Sequence, residues 1–294
     1  MKIFVAGGTG FVGGHLVRAL LSGGHSVRLF VHRRSESSGE VEQVEGDITM
    51  PGSFEPSLDG CDAVVNLVGI IREFPSRGIT FEKLHVQATA NLLAAAAGNG
   101  IKRYLQMSAL GTRPDAVSAY HRTKWRAEEL VRGSGLEWTI FRPSMIFGPK
   151  DGFINMLAAQ LRLAPVMPVI GSGSYRMQPI HADDVARCFV LALALPGSIG
   201  QTYELCGRDR VSYEELLDMI AACMGRPRPL KPHIPLGLMK QLIPFMQKIP
   251  QFPITMDQLQ MLLEENIGGD EWQKTFGFEP RGLQEGMSEY LHKA

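Results

Sequence analysis

Short apolar runs alternate with stretches of helical periodicity through the first half of the chain. The runs Lys2–Ala6, Ser26–Val31, Glu42–Glu45, 63–67, Arg103–Met107 and 137–141 have strand length and end at turn-forming residues. Between them the spacing predicts helices over Phe11–Ser22, 80–98 and 120–134. The first of these carries Phe11, Leu16, Val17, Leu20 and Leu21 mostly on one face and stops at Gly23-Gly24. Such alternation predicts an α/β fold, a doubly wound parallel sheet with helices on both faces and its ligand beyond the carboxyl ends of the strands. After Phe147-Gly148-Pro149 the rhythm changes to a helix over about 153–163, a Pro/Gly-rich stretch over 165–173 and a helix over 184–195. The expected division is a larger unit over 1–148, rejoined by 180–205, and a smaller C-terminal substrate or lid lobe made of 149–179 and 206–294.

The turn between the first strand and helix reads Gly7-Gly8-Thr9-Gly10-Phe11-Val12-Gly13. Glycine at positions 7 and 10 leaves no Cβ between the turn and a ligand, and Gly13 lets the helix approach the strand. The helix N-terminus behind them presents free N–H groups and a positive dipole end, which suit a pyrophosphate. A strand before and a helix after supply the context that a dinucleotide-binding turn needs. Gly7, Thr9, Gly10, Phe11, Val12 and Gly13 are therefore expected to bind a dinucleotide, with a purely structural turn as the alternative.

The second strand runs out at Val31-His32-Arg33-Arg34, with no carboxylate before Glu36. An NAD site ends this strand with Asp or Glu, ~20 residues past the glycines, to bond the ribose 2′-hydroxyl. A carboxylate there repels a 2′-phosphate, whereas a guanidinium binds it in bidentate fashion. His32, Arg33 and Arg34 are thus expected at the adenosine ribose, and NADP(H) is favoured over NAD(H); solvated loop charges are the alternative.

Tyr120-His121-Arg122-Thr123-Lys124 places Tyr120 and Lys124 one helical turn apart on the same face. A free tyrosine has a pKa of about 10 and is a poor base at neutral pH. A neighbouring ammonium favours the phenolate, so the pair is equipped for acid/base work at a carbonyl or alcohol oxygen. An exposed pair on an amphipathic helix is the alternative.

The remaining composition narrows the class. With 45% hydrophobic and 20% charged residues the chain can bury a large core. Lys+Arg and Asp+Glu are both 30, so no net field draws nucleic acid, and none is expected as a partner. Cys61, Cys188, Cys206 and Cys223 are scattered without a C-x-x-C pair, which argues against a metal site and for reduced thiols in the cytoplasm. No apolar run is long enough to span a bilayer. The stretch 235–250 sets Leu236, Met239, Leu242, Ile243, Met246 and Ile249 at helical spacing, with Lys240 and Lys248 between them and Pro244 as a kink. Core packing is the expected role; a lid over an apolar substrate, a partner face and a membrane-surface helix are the alternatives.

Taken together, these residues resemble the short-chain dehydrogenase/reductase superfamily, of the extended or atypical kind that includes NAD-dependent epimerases and dehydratases. The resemblance covers the chain to about Leu205 and the tail more weakly. Asn66-Leu67-Val68-Gly69 looks like the family's strand-end segment beside the cofactor. Arg142-Pro143-Ser144-Met145-Ile146-Phe147-Gly148-Pro149 looks like its segment near the nicotinamide, and Pro179-Ile180-His181-Ala182-Asp183-Asp184-Val185-Ala186 like the approach to a later helix. Ser108-Ala109-Leu110-Gly111, taken with the Tyr120 segment, is similar to members related to the nucleotide-binding accessory subunit of respiratory complex I. The resemblance implies a Rossmann fold. It adds Asp47 and Ile48 near the adenine, then Leu67, Val68, Gly69, Met107, Ser108, Pro143, Ser144 and Ile146, with Tyr120 and Lys124, along the cofactor.

Two positions depart from the family pattern. Leu110 stands where a catalytic Ser or Thr is expected, and His85 where an active-site Asn often stands. Asp47 has an equal reading as a turn residue, Asp183 and Asp184 as helix caps, His181 as a structural hydrogen-bonding residue and Arg142 as a buried ion-pair partner. The leading expectation is an NADP(H)-dependent oxidoreductase on a small carbonyl or alcohol, with Tyr120 and Lys124 catalytic. The alternatives are a nucleotide-binding scaffold, sensor or assembly factor with weak or no turnover, or a nucleotide-sugar epimerase or dehydratase. The expected setting is cytoplasmic, with room for association with a respiratory complex or the cytoplasmic side of a membrane.

Overall fold

Six of the apolar runs become strands: β1 (Lys2–Ala6), β2 (Ser26–Val31), β3 (Glu42–Glu45), β4 (Ala63–Asn66), β5 (Arg103–Met107) and β6 (Glu137–Pro143). The computed structural model describes residues 1–34, 41–247 and 254–291; Glu36 and positions 248–250 of the tail stretch lie outside them. Short strands β7 (Ile146–Phe147), β8 (Val169–Ile170), β9 (Arg176–Met177) and β10 (Ile180–His181) follow, and then β11 (Gln201–Leu205). The main sheet has the order β11-β6-β5-β4-β1-β2-β3, and every neighbouring pair is parallel. The direction of winding reverses between β1 and β4, and a crevice opens there at the carboxyl ends of the strands. This is the doubly wound Rossmann architecture that the alternation predicts. Strand β11 escapes the periodicity reading because Gln201-Thr202-Tyr203-Glu204-Leu205 lies at a sheet edge and is apolar at few positions.

The helices pack as their apolar stripes require. In the first half they are α1 (Phe11–Ser22), α2 (Ala88–Gly98) and α3 (Ala119–Arg132); α4 (Ile154–Leu163) and α5 (Ala182–Leu193) follow. Val12, Leu16 and Leu20 of α1 meet Val185, Phe189 and Ala192 of α5 under Ile3 and Val5 of the sheet. On the opposite face Leu92, Ala95 and Ala96 of α2 cover Phe4, Val64 and Tyr104. The predicted 80–98 helix is wound as a π-helix over Glu82–Gln87 before it continues as α2. Such wide turns often mark functional positions.

A second core joins α4 to α6 (Tyr213–Cys223) through Leu157, Leu161, Leu216, Leu217 and Ile220. The tail forms α7 (Leu236–Met246), α8 (Met256–Leu263), α9 (Glu271–Phe276) and α10 (Leu283–Ser288). The tail does not stay wholly in the smaller lobe. Trp272 and Phe276 of α9 return to the core beneath the sheet, with Phe276 6.0 Å from Phe141 between ring centroids. Helix α7 corrects the expectation of core packing, since Ile243 is its one buried residue. Among the described residues no helix is long and apolar enough to cross a membrane.

Candidate active site

The glycine turn sits at the winding reversal. Gly7 has φ +80°, and a Cβ there would lie 2.8 Å from the Leu67 carbonyl carbon and 2.9 Å from the Val68 nitrogen. A Cβ at Gly13 would lie 2.4 Å from Gly8 Cα. Neither position admits a side chain, so the turn, α1 and the end of β4 close up on bare backbone. Gly10 is the N-cap of α1 and no side chain caps the helix, which leaves its first-turn N–H groups to a ligand. Thr9 and Gly10 are exposed on the crevice side, Phe11 is half-buried and Val12 points into the core. This cradle fits the diphosphate of a dinucleotide.

His32, Arg33 and Arg34 follow β2 and are all exposed. In the neighbouring turn Asp47 Oδ1 accepts from the Thr49 N–H at 2.9 Å and from the Thr49 hydroxyl at 2.7 Å. Those two bonds, the hydroxyl first, hold the Asp47 carboxyl below the usual carboxylate range. Asp47 thus makes the turn that its residue type favours, and its Oδ2 makes no hydrogen bond among the described residues. Ile48 is buried beside Phe30 and Phe54, and its carbonyl accepts from Asn91 Nδ2 at 2.8 Å.

The Tyr120–Lys124 pair lies where β4 and β5 end. Lys124 is 3% exposed, and its Nζ donates to the Val68 carbonyl at 3.4 Å and the Met107 carbonyl at 3.3 Å. A Cβ at Gly69 would lie 2.9 Å from this Nζ, so the glycine makes room for the ammonium. Burial brings the Lys124 pKa down to about 8, against the opposite pull of the Glu128 carboxylate. The Tyr120 ring stands edge-on to His85, Phe81 and His121, with centroids at 5.3, 5.8 and 5.2 Å. Burial, and then the Asp257 carboxylate, push the Tyr120 phenol up to about 12.

The positions that depart from the family pattern have definite work. His85 lies in the π-helix, and its ring nitrogens reach Thr123 Oγ1 at 2.9 Å and the Ile70 carbonyl at 3.1 Å. It therefore ties the loop after β4 to the turn between Tyr120 and Lys124. Burial, and then the Lys124 charge, drive its pKa down to about 2, so the ring is neutral. Leu110 is buried, and its N–H donates to the Pro143 carbonyl at 2.8 Å. The Ser108 hydroxyl is buried and turned toward Thr112 Oγ1 at 3.4 Å. Among the described residues no serine hydroxyl takes the Leu110 place.

Several neighbours are structural. Arg142 donates to Glu128 through Nε at 2.8 Å and Nη2 at 2.6 Å, as the ion-pair reading expects. Pro143 ends β6, and Ile146 pairs with Ile180 across β7 and β10. The Ser144 hydroxyl donates to the Gln178 carbonyl at 2.5 Å and its N–H to the Leu205 carbonyl at 2.9 Å. Its polar atoms join the lobes. The Asp183 and Asp184 caps are also corrected. His181 is the N-cap of α5, accepting the Asp183 N–H at 3.2 Å, while Asp183 pairs with His15 and Asp184 accepts the Arg281 N–H at 2.8 Å.

One residue at the site carries no local signal at all. Asp257, in the first turn of α8, accepts the N–H groups of Ala119 at 2.7 Å and Tyr120 at 3.2 Å. A carboxylate from the tail thereby supplements the Ser118 cap of the tyrosine helix and faces its positive dipole end. Arg113 pairs with Glu264 at 3.1 Å through both Nη atoms and ties the other end of α8 down. Because the Asp257 charge raises the Tyr120 pKa, replacing Asp257 by Asn is expected to lower it. The alkaline limb of a reductive pH–rate profile, which needs the phenol protonated, should move to lower pH, and a profile that stays in place would remove Asp257 from the site.

A profile of the NAD dependent epimerase/dehydratase family matches residues 3–206. The chain belongs to this family. Subunit 9 of the mitochondrial NADH dehydrogenase (ubiquinone) 1 alpha subcomplex from Arabidopsis thaliana is 32% identical over 287 residues, covering 90% of this chain and 70% of its own. The ceramide reductase of Caulobacter vibrioides is 30% identical over 236 residues, covering 78% of this chain and 73% of its own. The dTDP-glucose 4,6-dehydratase DesIV of Streptomyces venezuelae, solved with NAD, has a TM-score of 0.77 at 21% identity, over 99% of this chain and 96% of its own. That last likeness is one of fold. The resemblance to atypical short-chain dehydrogenases/reductases around the complex I subunit is thus borne out in this epimerase/dehydratase-family chain.

Proposed function

We propose that this family member is an NADPH-dependent reductase of an apolar carbonyl compound. The observation that carries the reading is the buried Lys124 amine, fixed between the ends of β4 and β5 one turn from the half-buried Tyr120 phenol. Gly7, Gly10 and Gly13 with the α1 N-terminus hold the diphosphate. Lys124 holds nicotinamide-ribose hydroxyls, and Arg33 and Arg34 hold a 2′-phosphate. When bound, the cofactor supplies the hydride. Tyr120 donates the proton to the carbonyl oxygen, and Lys124⁺ stabilises the phenolate left behind.

Leu110 in place of a serine leaves Tyr120 as the donor to that oxygen. The relative named a ceramide reductase supports the choice of an apolar substrate. NADPH oxidation followed against ketones of increasing chain length tests the reading, with turnover expected to rise with chain length. If NADPH binds and no carbonyl or quinone consumes it, the scaffold reading replaces this one. Leu110 and the respiratory-subunit relative favour that second reading.

Cofactor choice has its own test. Replacing Arg33 and Arg34 by Ser should weaken NADPH binding by about 1.5–3 kcal/mol, the scale of charge-assisted hydrogen bonds, and leave NADH unchanged. Fluorescence titration with both nucleotides reads this, and an equal loss for both would make the arginines solvated loop charges.

A further inference from the structure

Helix α7 carries two apolar stripes, with Lys240 and Gln241 exposed on the remaining face. Leu236, Met239, Ile243 and Met246 make one stripe, of which Ile243 is fully buried and the others half-buried. Leu238, Leu242 and Phe245 make a second, at i, i+4 and i+7, and are 47%, 41% and 74% exposed. An apolar stripe on a helix is normally covered, and here one of the two is open. The loop after β4 reaches the end of this helix. There Arg72 Nη2 donates to the Gln247 carbonyl at the end of α7, at 3.2 Å. That loop exposes Ile71 and Phe74, and the Arg72 and Arg77 guanidiniums stand 5.6 and 5.9 Å from the Phe74 ring centroid.

Charge selects the covering. From position 219 to 256 the sequence has five Lys or Arg and no Asp or Glu, in a chain that holds 30 of each sign overall. Lys231 and Arg228 face Asp218 at 2.7 and 3.8 Å and Lys248 lies outside the described residues, whereas Lys240 on α7 and Arg77 beside Phe74 are exposed, with Glu73 the one acid exposed in that stretch of the loop. A second copy of this chain would set like charges against one another. An anionic bilayer meets both features together, since leucine and phenylalanine enter the acyl boundary while lysine and arginine meet lipid phosphates.

We infer that the open stripe of α7 docks this protein on an anionic lipid surface. The docking is read without cofactor or substrate, so it stands or falls apart from the reductase reading. The full chain is floated with vesicles of phosphatidylcholine, with and without roughly a third phosphatidylglycerol. Co-flotation is expected with the anionic vesicles, and release at about 1 M salt, where screening shortens to ~3 Å. The double variant Leu242→Ser/Phe245→Ser should bind at least about tenfold more weakly, and Lys240→Glu about tenfold more weakly, both with unchanged melting temperature. The inference is overturned if the native chain stays with neither vesicle, if it binds neutral and anionic vesicles equally, or if the double variant floats undiminished; a protein partner or self-association then becomes the covering of α7.

Discussion

Phenylalanine at position 120 is expected to lower turnover about 10²–10⁴-fold, the range for loss of a positioned general acid, while NADPH affinity stays within about twofold. The separation follows from the site. The Tyr120 hydroxyl makes no hydrogen bond among the described residues, so its removal leaves no partner behind. The ring is held by its edge-on contacts with Phe81, His85 and His121, which phenylalanine keeps. The nucleotide cradle at Gly7 and Gly13, and the Lys124 contacts with the β4 and β5 ends, do not involve the hydroxyl. Single-turnover kinetics beside a nucleotide titration read the two effects separately. Unchanged turnover in this variant would assign the proton to another group. A loss of nucleotide binding equal to the loss of rate would make Tyr120 a structural residue.

Replacing Glu128 by Gln is expected to destabilise the fold by about 3–5 kcal/mol, measured by denaturant unfolding. Glu128 is fully buried on α3 and serves two guanidiniums. Arg142 of β6 binds it through Nε and Nη2, and Arg132 reaches it at 2.6 Å from one turn onward. Both guanidiniums also lie over the Trp125 ring, at 5.7 and 5.0 Å from its centroid. A neutral amide leaves Arg142, 15% exposed, without its bidentate partner and with Glu204 at 3.7 Å as its remaining carboxylate. Arg132 is less affected, because it keeps the exposed Glu129 at 2.6 Å. The same change removes the carboxylate that supports the Lys124 charge, so the Lys124 pKa should fall further below about 8. A reductase that relies on Lys124⁺ would then lose activity at lower pH than the native enzyme. If Glu128→Gln costs less than about 1 kcal/mol, the pair contributes no more than a surface ion pair.

Local sequence determined what depends on neighbours along the chain. The bounds of β1 and α1, the Gly7 to Gly13 turn between them, and the shared face of Tyr120 and Lys124 follow from strand period, helical period and glycine's lack of a Cβ, and all are where those rules place them. The tertiary structure decided what depends on distant partners. Asp257 reaches the tyrosine helix from 137 positions away, and no spacing rule could pair it with Tyr120. The Ser144 hydroxyl donates to the Gln178 carbonyl, and Trp272 of the tail enters the sheet core. The apolar period of 236–246 correctly indicated a helix but could not say which side meets protein. Periodicity records that a stripe avoids water, whereas its covering is set by packing between segments far apart in the chain.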